Sequence, residues 1–289
     1  VNLRNVNLDA QMTINTSYTG IFPFGQIGTD IDGVNTNDWH GVYVSISSDG
    51  SIAAIGATRY NNYEGTTRIY QYSTPGLTTG TWEPLGADID GGDTSVSGGY
   101  FGHSVSLSSD GSILAIGSPG PFESGKGTAR IYQYKIPTVT EWTSGNVIKG
   151  DDTTQGAGKY WTQLGTDLNG VGANDCFGNS VSLINDGSIL AIGSPGYNSK
   201  GATRIYKYST PGVTTGTWDL LGSQVDGAAN NGRFGYSVSL SADGSILAVG
   251  SPYYSGGYVE IYKYSTPGVT TGTWDRLGST ISGSGAFGL

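Results

Sequence analysis

The sequence has few of the residues that several classes of protein depend on. Only one of its 289 residues is cysteine, so no intrachain disulfide can form. It has 14 lysines and arginines against 23 aspartates and glutamates, and no basic cluster. Because basic residues supply most of the affinity for nucleic acids and for anionic lipids, we expect no nucleic-acid partner and no anionic membrane surface. No apolar run approaches the roughly 20 residues of a membrane span, so we expect no span.

Glycine, by contrast, is abundant, with 49 residues, and no long segment is rich in alanine, leucine, glutamate and lysine. Glycine destabilises helix interiors and suits turns and bulges. The composition therefore predicts an all-β fold with many turns.

One motif recurs along the chain. The segment FGHSVSLSSDGSILAIGSP at 101–119 returns with few changes at 177–195 and 234–252, and a looser copy lies at 40–58. Each copy predicts a β-hairpin, because two strand-like segments flank an Asp-Gly pair that tolerates positive φ. Two further strand-like segments follow each hairpin: one contains Arg-Ile-Tyr or Glu-Ile-Tyr, and the other opens with Trp82, Trp161, Trp218 or Trp274.

The spacing of the hairpins indicates the architecture. Their aspartates, at positions 49, 110, 186 and 243, are 61, 76 and 57 residues apart, and the long interval contains an insertion at 135–160. Four short strands at such a period are typical of propeller blades, whereas solenoid repeats are usually shorter. We therefore predict a single β-propeller domain over residues 1–289, with four full repeats that each form a four-stranded blade.

The two ends of the sequence suggest how the ring closes. Residues 24–28 align with the tryptophan segment at 82–86, and Phe287-Gly288-Leu289 matches the start of another repeat. Residues 1–23 alternate between apolar and polar side chains, which predicts two strands. We expect both termini to form a composite fifth blade, which would protect exposed sheet edges. Two alternatives remain: further blades follow, or a neighbouring molecule completes the blade, giving a homo-polymer or larger assembly.

The order Phe-Gly-x-Ser-Val, Ala-Ile-Gly-Ser-Pro and Gly-x-x-Arg-Ile-Tyr resembles the FG-GAP repeat of integrin α-subunit propellers and related surface proteins, over residues 24–289. The resemblance implies an extracellular protein that acts in adhesion or ligand binding. Such propellers often have aspartate-rich calcium loops between the FG and GAP elements, but this chain has Ser-Ser-Asp-Gly or a close variant there. One carboxylate cannot supply the six to eight oxygens that calcium takes, so these metal sites do not carry over.

A weaker calcium candidate follows the tryptophan segments and their counterpart near the N-terminus. Asp30 and Asp32, like Asp88 and Asp90, are two residues apart, so in a strand both carboxylates of a pair project to the same side. The competing interpretation is a polar strand end that runs into a turn. Replacement by Gln, Thr and Ser in later repeats favours that interpretation, and we expect no cofactor beyond this weak calcium site.

We expect no catalytic residue and no enzyme activity. His40 replaces the phenylalanine of the first repeat, whereas His103 takes a variable position in the second, so the two are not equivalent. Neither belongs to a recognisable catalytic motif, and neither belongs to a motif that would make Cys176 a nucleophile. Catalytic carboxylates from different blades would leave no local signature, so a glycan-active enzyme stays a minor alternative.

Ligand contacts are expected in the loops after the Gly-Ser-Pro segments, because loops on rigid scaffolds often carry recognition. The aromatic residues of these loops differ between repeats: Tyr60, Tyr63, Phe122, Tyr197, Tyr253 and Tyr254. The recurring arginines and tryptophans have two interpretations, a repeated binding surface or packing between blades, and we favour packing.

The sequence thus predicts a non-enzymatic extracellular or surface-exposed protein, on a cell, a filament or a virus particle. It would act in adhesion or as a structural or assembly module, and its partner would be a protein or glycan on a surface. A carbohydrate-binding lectin is the alternative. Asn15-Thr16-Ser17 is a candidate glycosylation sequon.

Overall fold

The computed structural model describes residues 25–76, 79–92, 99–121, 125–135, 160–211, 214–266 and 270–283. The predicted strands of 1–23, the sequon, Phe122, most of the insertion at 135–160 and Phe287-Gly288-Leu289 lie outside these residues. The composite fifth blade therefore stays a prediction. Within the described part of the chain, no helix has the length and apolar character that crossing a membrane requires.

The described strands form four antiparallel sheets, one for each repeat, which we call blades 1 to 4. In each blade four strands pair in chain order, and a two-residue fifth strand pairs with the other end of the third. The predicted fourth segment, which ends at a Leu-Gly pair, forms the fourth strand, and the fifth strand lies beyond it and is not among the predicted segments.

The strand bounds repeat closely from blade to blade. Blade 1 consists of β1 (His40–Ile46), β2 (Ile52–Ala57), β3 (Thr66–Tyr72), β4 (Trp82–Pro84) and β5 (Ile89–Asp90). Blade 2 consists of β6 (Ser104–Leu107), β7 (Ile113–Ser118), β8 (Thr128–Lys135), β9 (Tyr160–Gln163) and β10 (Leu168–Asn169). Blade 3 consists of β11 (Ser180–Leu183), β12 (Ile189–Ser194), β13 (Ala202–Tyr208), β14 (Trp218–Leu220) and β15 (Val225–Asp226). Blade 4 consists of β16 (Ser237–Leu240), β17 (Ile246–Ser251), β18 (Tyr258–Tyr264), β19 (Trp274–Arg276) and β20 (Ile281–Ser282).

The helical content of the described residues is confined to two loops. A four-residue helix, α1 (Tyr60–Tyr63), follows β2, and a 3-10 turn at Tyr197–Ser199 follows β12. Both contain asparagines in the left-handed conformation, so they are tight turns rather than regular helices.

The hairpin turns form as the Asp-Gly pairs predict. Gly111 has φ of +70°, and the Asp110 carboxylate accepts hydrogen bonds from the backbone N–H and hydroxyl of Ser112 and from the hydroxyl of Ser108. These bonds fix the turn between β6 and β7. The strand that follows, Ile113–Ser118, is buried along its whole length, as its uninterrupted apolar sequence predicts.

The blades pack face to face in chain order, with their first strands β1, β6, β11 and β16 next to one another. An apolar cluster fills each of the three junctions between successive blades. Each junction also contains a parallel backbone bridge between a glycine before the third strand and the phenylalanine of the next blade. This arrangement of repeated antiparallel blades confirms the predicted β-propeller fold.

Backbone hydrogen bonds connect the hairpin turns of successive blades. The N–H of Ser48 donates to the carbonyl of Ser109, the N–H of Ser109 donates to Asn185, and the N–H of Asn185 donates to Ala242. The lengths are 2.8, 2.8 and 3.3 Å. We call the end of the molecule where these turns lie the turn face.

The tryptophans connect the blades at their outer strands. The Nε1 groups of Trp161, Trp218 and Trp274 donate to the leucine carbonyl that closes the fourth strand of the preceding blade, at 2.8 to 3.0 Å. Trp82 donates in the same way to Ile27, at 3.0 Å. Residues 25–28 therefore take the place of a fourth strand beside blade 1, as the alignment of 24–28 with 82–86 suggests.

Candidate functional site

The loops before the first strand and after the second strand of each blade meet at the end opposite the turn face. We call this end the loop face; it includes residues 35–39, 58–64, 99–100, 119–121, 172–176, 195–200, 228–233 and 252–257. Within a blade the two loops are hydrogen-bonded, for example from the N–H of Gly196 to the carbonyl of Asp175 at 3.1 Å. Loops of adjacent blades are joined too, since the N–H of Tyr100 donates to Tyr63 at 3.0 Å. The loop face is thus a connected surface.

Four side chains are presented on this face by a strained turn. Trp39, Tyr100, Cys176 and Arg233 each lie directly before the Phe-Gly pair or its counterpart, and their φ values are all between 53° and 57°. Such left-handed geometry is uncommon in residues other than glycine and costs about 1–3 kcal/mol. It persists only where the surrounding structure enforces it, and it is found preferentially at functional sites.

The strained turn marks the boundary between a residue that lies with the loops and a phenylalanine that packs between blades. In blades 2 to 4, the carbonyl of the left-handed residue accepts the N–H three residues later, at 3.1 Å. The phenylalanine that follows is buried between blades, whereas the left-handed residue stays with the loops. The residue type before the Phe-Gly pair can therefore vary without disturbing the blade junction.

In blade 1 the turn contributes to an aromatic and cationic group. The guanidinium of Arg59 lies 3.3 Å from the centroid of the Trp39 ring and 5.4 Å from that of Tyr63. The rings of Tyr63 and Tyr100 are 5.5 Å apart. Trp39 keeps 46% of its surface exposed and Arg59 is half-buried, so this group combines an exposed apolar face with a positive charge.

A cavity of about 630 Å³ opens on the loop face between blades 2, 3 and 4. Its lining is rich in amide, phenol and guanidinium groups, contributed by Asn174, Asn179, Asn231, Arg233, Tyr236 and Tyr253. The guanidinium of Arg233 lies 5.1 Å from the Tyr253 ring, and the rings of Tyr236 and Tyr253 are 5.8 Å apart. The Asn179 amide donates to the backbone carbonyl of Tyr236 at 3.0 Å, which joins blades 3 and 4 at the floor.

Next to this cavity, a histidine and a tyrosine from two blades meet. The Tyr43 hydroxyl and His103 Nε2 are 3.0 Å apart, and their ring centroids are 4.5 Å apart. Burial lowers the pKa of His103 to about 4, and only the contact with Asn179 opposes this shift. Burial also raises the pKa of Tyr43. Both groups are therefore neutral near pH 7.

His40 fills the place of the junction phenylalanine in blade 1. Both of its ring nitrogens are buried and have no hydrogen-bond partner among the described residues. Burial, followed by the nearby positive charge of Arg68, lowers the pKa of the imidazole. The neutral ring thus takes a packing position.

The six aromatic residues expected to bind ligand have different surroundings. The guanidinium group of Arg68 lies 5.1 Å from the centroid of the Tyr60 ring, and that of Arg204 lies 5.2 Å from the centroid of the Tyr197 ring. Both rings therefore already pack against an arginine. Tyr63, Tyr253 and Tyr254 are exposed on the loop face. Of the described members, Tyr253 alone lines the cavity, and Phe122 lies outside the described residues.

One aspartate of each candidate calcium pair is bound to a nearby side chain. Asp88 forms an ion pair with Arg68 at 2.7 Å, and Asp30 accepts a hydrogen bond from Gln26 at 2.7 Å. Asp32 and Asp90 are exposed. The described residues contain no group of three or more His, Cys, Asp or Glu side chains that could hold a metal ion.

The arginine and tryptophan series belong to packing, as favoured above. Arg130 pairs with Asp167 at 3.1 Å and donates to the carbonyl of Gly91 in the preceding blade at 2.6 Å. Trp161, Trp218 and Trp274 are buried, so they offer no platform for a sugar.

Sequence reasoning missed most of the loop-face residues. It did not select Trp39, Arg59, Arg233, Tyr236 or the asparagines at 174, 179 and 231. One signal was available, because the residue before each Phe-Gly pair or its counterpart changes completely while its neighbours repeat. That pattern is typical of a fixed backbone that presents variable side chains.

No protein-family model matches the chain, and no curated protein matches it either. Among solved structures, the chain is similar to two crystal structures of Sqt1 from Chaetomium thermophilum, with 14% and 13% identity, a TM-score of 0.45 for both, and 78% of this chain covered. It is also similar to TolB from Acinetobacter baumannii, with 14% identity, a TM-score of 0.42 and 83% of this chain covered. The matches cover only 44%, 45% and 46% of those chains.

Proposed function

We propose that this protein is a non-enzymatic recognition module that acts in adhesion on an extracellular or particle surface, and that the loop face binds the partner. The observation that carries the proposal is the strained turn at Trp39, Tyr100, Cys176 and Arg233, which presents four different side chains from one repeated backbone. Backbone strain of this kind is retained where the presented side chain has a use.

The composition of the loop face supports recognition. Tyrosine, tryptophan and arginine dominate the contacts that contribute most to binding at protein interfaces, and all three are grouped here. The blades below are held by backbone bridges and buried apolar clusters, so the loops rest on a rigid support. Rigid support reduces the entropy lost when a partner binds.

A glycan is the second candidate for the partner, and the cavity favours it. Asn174, Asn231 and Arg233 offer donors and acceptors for sugar hydroxyls, and Tyr253 offers an exposed ring against which a sugar could pack. A volume of about 630 Å³ lies within the usual range of small-ligand sites, roughly 300–1,000 Å³.

The test is binding of the immobilised protein to cells and to a glycan array, with two matched variants. Tyr253 and Tyr254 are neighbours with similar exposure, 53% and 49%, but Tyr254 does not line the cavity. For a glycan bound in the cavity, we expect Tyr253→Ala to weaken binding at least tenfold and Tyr254→Ala to leave it within about twofold. Loss of cell binding after glycan removal would assign a glycan partner, and loss after protease treatment would assign a protein.

Two results would contradict the proposal. One is the absence of any binding to cells, proteins or glycans by the folded protein. The other is turnover of an oligosaccharide that a single aspartate or glutamate substitution abolishes, because this would identify an enzyme.

A further inference from the structure

Each blade junction contains the same socket, which receives a Phe-Gly pair from the next blade. At the junction of blades 3 and 4, Gly201 forms a parallel bridge with Phe234, whose N–H donates to the carbonyl of Lys200 at 3.0 Å. The hydroxyl of Ser180 donates to the carbonyl of Gly235 at 3.0 Å. Phe234 is fully buried as a result.

The socket wall has glycines at the points where the Phe-Gly segment of the next blade comes closest. A Cβ atom on Gly193 would overlap the carbonyl oxygen of Gly235, and a Cβ atom on Gly227 would overlap the Cβ of Phe234. The first overlap recurs between blades 2 and 3, where a Cβ atom on Gly117 would overlap the carbonyl oxygen of Gly178. We call this arrangement the FG socket.

Blade 4 has all the parts of an FG socket. Ser237, Gly250, Gly257 and Gly283 correspond by register to Ser180, Gly193, Gly201 and Gly227 of blade 3, and with their neighbours they line a cavity of about 380 Å³. The nearest atoms to a Cβ placed on Gly250 belong to Ser237 of the same blade, not to the backbone of another blade. No described residue fills this fourth socket.

Two apolar side chains in the socket of blade 4 are more exposed than the side chains at the same positions in blade 3. Val259 is 36% exposed, whereas Thr203 at the same register position in blade 3 is fully buried. Ile281 is 61% exposed, whereas Val225 at its position is 7% exposed. The difference measures the cover that a Phe-Gly segment provides in the filled sockets.

We propose that the FG socket of blade 4 binds Phe287-Gly288 of the same chain. The sequence contains five Phe-Gly pairs: three fill the described sockets, and Phe24-Gly25 precedes Ile27, which is engaged with Trp82 beside blade 1. Phe287-Gly288 is the remaining pair. It begins four residues after Gly283, and four residues span up to about 13 Å, which is enough to turn back onto the socket.

The central experiment measures binding of a fluorescent peptide, Ser-Gly-Ala-Phe-Gly, to the full chain by polarisation. In the wild type the attached segment competes at a high effective concentration, so we expect weak peptide binding. Phe287→Ala frees the socket, and we expect it to bind the peptide at least tenfold more tightly. A peptide with alanine in place of phenylalanine should not bind either protein.

Two further variants keep the test decisive if Phe287→Ala folds poorly. Gly288→Val keeps the phenylalanine but adds a Cβ where Gly235 approaches the carbonyl of Ala202 in the filled socket, so it should also free the socket. Ile281→Asp, combined with Phe287→Ala, places a charge on the exposed floor of the socket and should abolish peptide binding.

Three outcomes would overturn the proposal. The first is equal peptide binding by the wild type and Phe287→Ala. The second is peptide binding that Ile281→Asp does not change. The third is a wild-type protein that self-associates with concentration and becomes monomeric in Phe287→Ala, because the segment would then fill the socket of a second copy. These results do not depend on whether the loop face binds a partner.

Discussion

Acid should destabilise this protein in part through the buried imidazole of His103. The folded state holds His103 neutral with a pKa of about 4, against an ordinary value of 6.5, because burial disfavours the charged ring. The unfolded state therefore binds more protons as the pH falls below 6.5, so stability decreases with falling pH until it levels off below about pH 4. At pH 4.5 the loss attributable to His103 is about 2.5 kcal/mol relative to pH 8.

The matched variant is His103→Asn, because asparagine already stands at the equivalent position, Asn179, in blade 3. The substitution removes the titrating group and the contact with Tyr43, and the lost contact shifts stability by the same amount at every pH above 4. We therefore expect the wild type to lose about 2.5 kcal/mol more than His103→Asn between pH 8 and pH 4.5.

Urea unfolding at a series of pH values measures this difference, since every carboxylate and His40 are present in both proteins. A difference below about 0.5 kcal/mol between the two pH profiles would refute the reasoning. An NMR titration of the His103 ring provides the direct check, and a midpoint near 6.5 in the folded protein would also contradict it.

Three further predictions follow from the blades. Phe177→Ala, which empties a fully buried junction position, should reduce the free energy of unfolding by about 3–5 kcal/mol in urea; a loss under 1 kcal/mol would show that the junction tolerates a cavity. Gly193→Ala should strongly lower the melting temperature because its Cβ overlaps the Gly235 carbonyl, whereas Gly25→Ala, with open space around it, should not; equal melting temperatures would contradict the close approach. Hydrogen bonds from serine hydroxyl and backbone groups lower the pKa of Asp243 to about 2, so its carboxyl carbon should titrate near pH 2 by NMR, and a midpoint near 4 would contradict the turn geometry.

The fold could be predicted from the sequence because its determinants are local and repeated. The Asp-Gly turns and the buried Ile-Leu-Ala-Ile-Gly strands each specify a structure within a few residues, and four copies reinforce the interpretation. The fifth strand was not predicted, because it has only two residues and pairs with the end of the third strand that the fourth strand leaves free.

The candidate site was harder to predict because it joins residues that are distant in the chain. Arg59 and Trp39, or Arg233 and Tyr253, come together only when the two loops of a blade meet. Glu260 illustrates the same limit. It breaks the arginine series in the sequence, but Arg276 on the adjacent strand lies 3.2 Å from it, so this blade keeps an ion pair with a partner from a different position.

The hydrogen-bonded turns of Ser48, Ser109, Asn185 and Ala242 join successive blades through backbone groups. One backbone N–H to carbonyl bond joins each pair of successive described turns, so a blade joins the series through groups that every residue except proline has. A whole repeat can therefore be duplicated or deleted at this face without new side-chain chemistry. The side chains of the loop face differ from blade to blade. Each added blade would therefore add new side chains to that face, on which selection can act.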